Sequence, residues 1–132
     1  MLNRLKGRIA SIQSSQHLSL VNVEIGGDSL YLLLLEKPIE TVGVEVDLVF
    51  KESEVILSKE AIYSTANTCK GLIGKIEEGK VLTYVTLLYN DIEIAALVPT
   101  ATFMPMECKI GDGIYWIISP SEISLQRGHH GS

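Results

Sequence analysis

The sequence contains few of the residue types that catalytic and metal sites use most. Its 132 residues include two cysteines, three histidines and one tryptophan. Cys69 and Cys108 are far apart and form no C-x-x-C motif, so we expect free, buried thiols rather than a disulfide or a metal site. His17 is the only histidine outside the tail, and it lies in a polar turn, "SSQHLS" (14–19), with no evident pairing of a nucleophile and a base. The sequence therefore does not predict an enzyme.

Clustered positive charge is also absent. The formal net charge is −5, and the acidic residues are spread along the whole chain. Proteins that bind nucleic acids need grouped lysine and arginine side chains to neutralise phosphates, so we expect no direct nucleic-acid binding. A small anion is still compatible with this composition, because backbone N–H groups and one or two cations can form a local site on an acidic protein.

Long hydrophobic runs are missing as well. The longest apolar run, residues 30–35, is far too short to cross a membrane. The first residues, "MLNRLKGRIASIQ", lack the apolar stretch and cleavage pattern of a signal peptide. The sequence thus predicts a cytoplasmic protein without membrane segments. The tail, residues 127–132, is either a native end or a cloning remnant, and its histidines are excluded from any metal argument.

Short strands separated by turn signals are what the sequence does contain. The segment "LVNVEI" (residues 20–25) alternates between apolar and polar residues, and the glycines after it predict a hairpin. The returning segment "SLYLLLL" (29–35) is apolar enough to predict burial on both faces. Pro38 is predicted to open a helical turn through Thr41. In the second half, "VLTYVTLLY" (81–89) and "IEIAALV" (92–98) flank a short turn, and "TFMPM" (102–106) occupies the position of the helical turn.

The order of these elements recurs, which indicates an internal duplication. Asn3, Lys6 and Gly7 match Asn67, Lys70 and Gly71 at an offset of 64, and residues 53–55 match 121–123 at an offset of 68. We therefore predict repeats at 1–63 and 64–126. The predicted fold class is all-β, with two tandem OB-like five-stranded Greek-key barrels, each with a short helical turn. A pair of SH3-like barrels would give almost the same pattern. Units of this size need mutual packing or oligomerisation.

Three phrases in these repeats resemble the molybdate-binding Mop (TOBE-type) domain family. "STANTCKG" (64–71) resembles the family's S-A-R-N-x-L-x-G opening, "VFKESEVIL" (49–57) its closing strand, and "KIGDGIYWIIS" (109–119) its K-x-G-D-x-V turn and strand. The resemblance covers nearly the whole chain as two tandem copies, similar to di-domain molbindins and to the effector half of ModE-type regulators. It implies a cytoplasmic homo-oligomer, dimer or trimer, without a covalent cofactor. Such a protein binds molybdate or tungstate at subunit interfaces and serves molybdenum sensing, buffering or storage.

The resemblance also assigns candidate oxyanion-binding residues. A tetrahedral oxyanion needs a shell of hydrogen-bond donors and positive charge. Lys51 supplies the charge in this interpretation, and hydroxyls and backbone groups supply the remaining donors. The full candidate set is Lys51, Ser53, Ser64, Ala66, Asn67, Thr102, Ser119 and Ser121. Ala66 stands where the family has arginine, and Thr102 and Pro38 stand where a serine opens the family's helical turn.

Two alternatives to oxyanion binding follow from the same residues. The first is a non-catalytic regulatory or oligomerisation module that has lost oxyanion binding and acts through a protein partner. The second is an OB-fold that binds single-stranded nucleic acid, which needs aromatic side chains on a basic groove. The acidic balance of the chain argues against the second.

Overall fold

The computed structural model describes residues 2–64 and 67–127, and in these ranges the fold is all-β, as predicted. The strands are β1 (Leu2–Ser14), β2 (Ser19–Ile25), β3 (Asp28–Leu34), β4 (Glu45–Lys51), β5 (Ile56–Ser58), β6 (Asn67–Glu78), β7 (Leu82–Tyr89), β8 (Ile92–Pro99), β9 (Gly113–Ile118) and β10 (Ser124–Arg127). The α-helix α1 (Thr100–Phe103) continues into a 3₁₀ turn at Met104–Met106. Two further 3₁₀ turns lie at Glu52–Glu54 and Pro120–Glu122. No helix in the described ranges has the length and apolar character needed to cross a membrane.

The chain folds as two compact units. Among the described residues, the central unit contains 51–118, and the terminal unit contains 2–50 together with 119–127. Each unit is built on one five-stranded sheet. The strand order is β10-β4-β1-β2-β3 in the terminal unit and β5-β9-β6-β7-β8 in the central unit.

The short closing strands are exchanged between the two halves of the sequence. β5 follows the strands of the first half, yet it pairs antiparallel with β9, with Ile56 opposite Ile117. β10 follows the strands of the second half, yet it pairs antiparallel with β4, with Ser124 opposite Val49. The compact units are therefore bounded differently from the repeats at 1–63 and 64–126, which remain a prediction about the duplication of the sequence.

In the terminal unit, the turn between β2 and β3 forms where the sequence predicts it. Gly26 and Gly27 have φ angles of +59° and +98°, and they form the predicted hairpin between β2 and β3. Burial of both faces of residues 29–35 was wrongly predicted. Leu32 is fully buried, but Tyr31 and Leu35 are 45% and 81% exposed. β3 is the last strand of its sheet order, and only one face of it packs on the core of the unit.

The helical turn predicted at residues 38–41 is also absent. This segment contains bends without helical hydrogen bonding. The chain uses its backbone groups to attach the loop to β1 instead, because Gly43 N–H donates to the Ile9 carbonyl and Ile9 N–H donates to the Val44 carbonyl. Gly43 has a φ angle of +92°, which ends any helical path at this point.

In the central unit, the hairpin turn and the helical segment that the sequence predicts are both present. Asn90 and Asp91 have φ angles of +46° and +65°, as a two-residue hairpin turn requires, and they join β7 to β8. The predicted "TFMPM" helical segment is present as the end of α1 and the following 3₁₀ turn. Trp116 is fully buried, and its ring meets the ring of Tyr89 edge to face at a centroid distance of 5.3 Å.

The recurring Asn-x-x-Lys-Gly phrase has the same structural setting in both units. Asn3 and Asn67 are buried, with exposures of 5% and 7%. A Cβ atom on Gly7 would lie 2.4 Å from a β2 side chain, and one on Gly71 would lie 3.0 Å from a β7 carbonyl oxygen. The phrase therefore marks a strand with a buried amide at its start and a close approach to the neighbouring strand.

Candidate functional site

Several candidate residues lie at one end of β9 in the central unit. β6 begins there, since Asn67 pairs with Ile118. β5 begins at the same end, and the 3₁₀ turn that contains Ser53 directly precedes it. Lys51 is the residue immediately before that turn. Two separate segments of the chain thus bring Lys51, Ser53 and Asn67 to one end of the sheet.

The polar groups of this region differ in how they are engaged. Lys51, Ser53 and Ser64 are all exposed. The side chains of these three residues have no hydrogen-bond or ion-pair partner among the described residues. Asn67 is buried, and it takes part in interactions of its own. The ammonium of Lys51 and the two hydroxyls are therefore accessible to an external acceptor.

Ser53 also borders a cavity of the central unit. The cavity has a volume of about 340 Å³ and is lined by β5, the end of β8 and α1. Its walls are mainly apolar, with Phe103 and Met106 among them, and the hydroxyls of Ser53 and Thr102 are its side-chain polar groups. The Thr102 hydroxyl donates to the Pro99 carbonyl at 3.1 Å. The structure thus brings Ser53 and Thr102 to one cavity, although they are far apart in the sequence.

The remaining candidates lie elsewhere. Ser119 and Ser121 belong to the terminal unit, and their hydroxyl oxygens are 3.2 Å apart, so one donates to the other. Ala66 falls outside the described residues. The predicted donor set is therefore divided, with five described members in the central unit and two in the terminal unit.

A larger cleft in the terminal unit has the wrong charge for an oxyanion. Its volume is about 860 Å³. Its charged lining consists of two cations and four carboxylates, namely Lys6, Arg8, Glu24, Asp28, Glu45 and Asp47. The cation Arg8 is already paired with Glu45 at 3.1 Å, and the buried Asp47 is paired with Arg4 at 2.9 Å. An excess of carboxylates repels a dianion, so size alone does not make this cleft an oxyanion site.

Tyr84 is a residue that sequence reasoning missed. It lies on β7 opposite Glu77 of β6, and its hydroxyl donates to the carboxylate of Glu52 in the 3₁₀ turn next to Lys51. Partial burial raises the pKa of Tyr84, and the charges of Glu52, Glu77 and Glu93 raise it further. The contact joins residues 32 positions apart. No sequence periodicity reports such a contact, although a tyrosine among glutamates on neighbouring strands was a weak signal.

The pKa of Tyr84 gives a testable expectation. In Glu52→Gln the pKa of Tyr84 falls but stays above about 10, its usual value, because burial remains. Because the pKa of Tyr84 is raised in the folded state, the folded chain holds the phenol proton more tightly than the unfolded chain does. The contribution of Tyr84 to the free energy of unfolding is therefore complete below the unfolded pKa and is lost as the pH rises through the folded pKa. Ultraviolet titration of tyrosinate, with Tyr84→Phe to identify the signal, measures the shift. Identical curves for the wild type and Glu52→Gln would contradict the contact.

The two cysteines offer little nucleophilic chemistry. Cys69 is buried, Cys108 is half-buried, and both are free thiols. Burial raises the pKa of Cys108 and Asp112 adds to this, whereas Lys59 opposes it. A thiol with a raised pKa is a poor nucleophile at neutral pH.

This all-β fold is shared with a cytoplasmic oxyanion-binding protein of known structure. That protein is the molybdate-binding protein ModG, solved in a form grown from PEG with molybdate bound. The two structures match with a TM-score of 0.89 at 24% sequence identity, and the match covers 96% of each chain. At this identity the match establishes the fold. No protein-family model and no curated protein matches the sequence.

Proposed function

We propose that this chain is a non-enzymatic, cytoplasmic oxyanion-binding protein whose ligand is molybdate or tungstate. The observation that carries the proposal is the match to ModG over 96% of the chain, at a TM-score of 0.89. The match covers 96% of both chains, so it includes both five-stranded sheets of this chain. Three sequence phrases support the same proposal. Those at 49–57, 64–71 and 109–119 resemble the closing strand, the opening, and the turn and strand of tandem Mop domains with OB-like barrels.

The residues of the central unit provide suitable chemistry. Lys51 offers a positive charge, Ser53 and Ser64 offer hydroxyls without other partners, and Thr102 offers a third hydroxyl after rotation from the Pro99 carbonyl. Charge-assisted hydrogen bonds of this kind are stronger than neutral ones. The size of the site would distinguish molybdate and tungstate from sulfate, which is smaller.

The charge balance supports a site at an interface between copies of the chain. A dianion beside a single lysine leaves one negative charge without compensation, and burying it in that state is costly. Lys51, Ser53 and Ser64 are exposed, so a second copy can approach them and add donors. We therefore include homo-oligomerisation, as dimer or trimer, in the proposal. The role that follows is molybdenum homeostasis through sensing, buffering or storage.

One observation favours a second function, that of a module acting through a protein partner. The terminal unit exposes Leu35, Val42 and Ile39 by 81%, 61% and 95%. The three residues lie within the segment 35–42, and exposed large apolar side chains are typical of protein interaction sites. In this alternative the oxyanion site is lost and the apolar surface carries the function.

Thermal unfolding in the presence of anions distinguishes the two functions. Molybdate or tungstate at about a hundred times its dissociation constant should add about 2.7 kcal/mol to the free energy of unfolding, and equal sulfate should add far less. The melting temperature of the purified chain, with residues 128–132 removed, reports the change. No shift with any of the three anions would reject oxyanion binding and leave the partner module as the function.

A further inference from the structure

We propose that oxyanion binding is confined to the central unit, so that each chain carries one set of oxyanion donors and not two. The inference rests on the proposed function and goes beyond it. A tandem duplication by itself suggests two equivalent sites. The exchange of the closing strands makes the two units chemically unequal.

The exchange combines the donor-rich parts of both repeats in one unit. Lys51 and Ser53 come from the closing segment of the first repeat, and Thr102 comes from the helical turn of the second. Lys51 ends β4 and is the first residue of the central unit, to which Ser53 and Thr102 also belong. Ser53 and Thr102 line the same cavity. Without the exchange, Lys51 and Ser53 would accompany the first repeat's own turn segment at Pro38.

The terminal unit receives the donor-poor counterparts. At the offset of 68, Ser119 stands in the place of Lys51, so this position of the closing segment carries a hydroxyl and not a cation. Pro38 stands in the place of Thr102, and a proline side chain offers no hydrogen-bond donor. The segment around Pro38 also lacks the helical turn that Thr102 occupies in the central unit.

The hydrogen bonding of the two equivalent serines, Ser53 and Ser121, also favours a site in the central unit. Ser53 has no hydrogen-bond partner among the described residues. Its counterpart Ser121 is bonded to Ser119, with the two hydroxyl oxygens 3.2 Å apart. An anion beside these serines would have to break this hydroxyl pair, and no lysine stands at the position that corresponds to Lys51. The cleft of the same unit has four carboxylates against two cations, so it offers no alternative position.

The equivalent serines form a matched pair of test variants. Ser53→Ala removes a hydroxyl from the central unit, and Ser121→Ala removes the equivalent hydroxyl from the terminal unit. Both side chains are exposed, so both variants are expected to fold, which circular dichroism checks. Isothermal titration of the chain with sodium molybdate should show a loss of about tenfold in affinity for Ser53→Ala, as for one hydrogen bond to a charged group. Ser121→Ala should bind like the wild type, and no more than one molybdate should bind per chain.

The outcomes separate this inference from the proposed function. Equal affinities of the two variants, or two molybdates bound per wild-type chain, would overturn the inference and leave molybdate binding intact. A wild type that binds neither molybdate nor tungstate would overturn the proposed function and the inference with it. Amide chemical shifts provide a second measurement that needs no substitution. Molybdate should shift the resonances of Ser53 and Thr102 and leave those of Ser119 and Ser121 unchanged, and the reverse pattern would overturn the inference.

Discussion

A chain that ends at Ile118 is expected to keep the central unit folded and to lose the terminal unit. The deletion removes β10, which pairs with β4 from Ser124–Val49 to Arg127–Val46. It also removes Ile123, whose side chain is only 3% exposed. Burial of one isoleucine contributes about 1.5–3 kcal/mol, and each lost ladder hydrogen bond contributes about 0.5–1.5 kcal/mol. Together these losses approach the whole stability of a small domain, about 5 kcal/mol at the low end.

Hydrogen exchange measured by mass spectrometry tests this deletion segment by segment. Amides of β2 and β3 should lose protection, whereas those of β7 and β8 should keep it. The matched control is a chain that ends at Arg127, which retains β10 and should keep both units protected. Ile123→Ala gives an intermediate case, with an expected cost of about 2–5 kcal/mol. Full protection of β2 and β3 in the chain ending at Ile118 would show that β10 is dispensable.

The parts of the fold that could be predicted from the sequence are those with local causes. The alternation in residues 20–25 predicts β2 because one face of the strand is buried and the other is not. The hairpins at Gly26-Gly27 and Asn90-Asp91 follow from the positive φ angles that these residues tolerate. The helical segment at 102–106 was predicted from its place in the repeat, and the helix begins two residues earlier, at Thr100.

The exchange of closing strands could not be predicted in this way. The segments before β5 and β10 are nearly the same, Ser53-Glu54-Val55 and Ser121-Glu122-Ile123, so local sequence does not favour one sheet over the other. Which sheet each strand joins is a tertiary choice. The predicted burial of residues 29–35 failed on similar grounds, because apolar composition does not reveal that β3 lies at the end of its sheet order.

In the candidate site, too, single residues could be predicted from the sequence, whereas their arrangement could not. The motif resemblance identified Lys51 and Ser53 in the phrase at 49–57, and it identified Thr102 separately, as the counterpart of the serine that opens the family's helical turn. Their common location in the central unit depends on the exchange, and their availability depends on neighbours that lie far away in sequence. The hydrogen bond from Tyr84 to Glu52 is an example, since it engages the carboxylate that follows Lys51 in the sequence. The donors could thus be named from the sequence, but their grouping required the structure.

Lys51→Ala is expected to weaken molybdate binding about 10- to 100-fold, because a hydrogen bond to a charged group contributes about 1.5–3 kcal/mol. Lys51 has no partner among the described residues, so its loss should leave the stability of the chain without ligand nearly unchanged. This separates a binding role from a structural one. Lys51→Arg keeps the positive charge and should recover most of the affinity.

The matched control for this substitution is Lys70→Ala. Lys70 is another exposed lysine of the central unit, and its ammonium lies 5.5 Å from the centroid of the Tyr115 ring. Isothermal titration with molybdate should give a wild-type affinity for Lys70→Ala and a much lower one for Lys51→Ala. Equal affinities in the two variants would mean that Lys51 makes no specific contact with the anion. The dianion would then be held by hydroxyl and backbone donors alone, and the exposed position of Lys51 beside the 3₁₀ turn would have no role in binding.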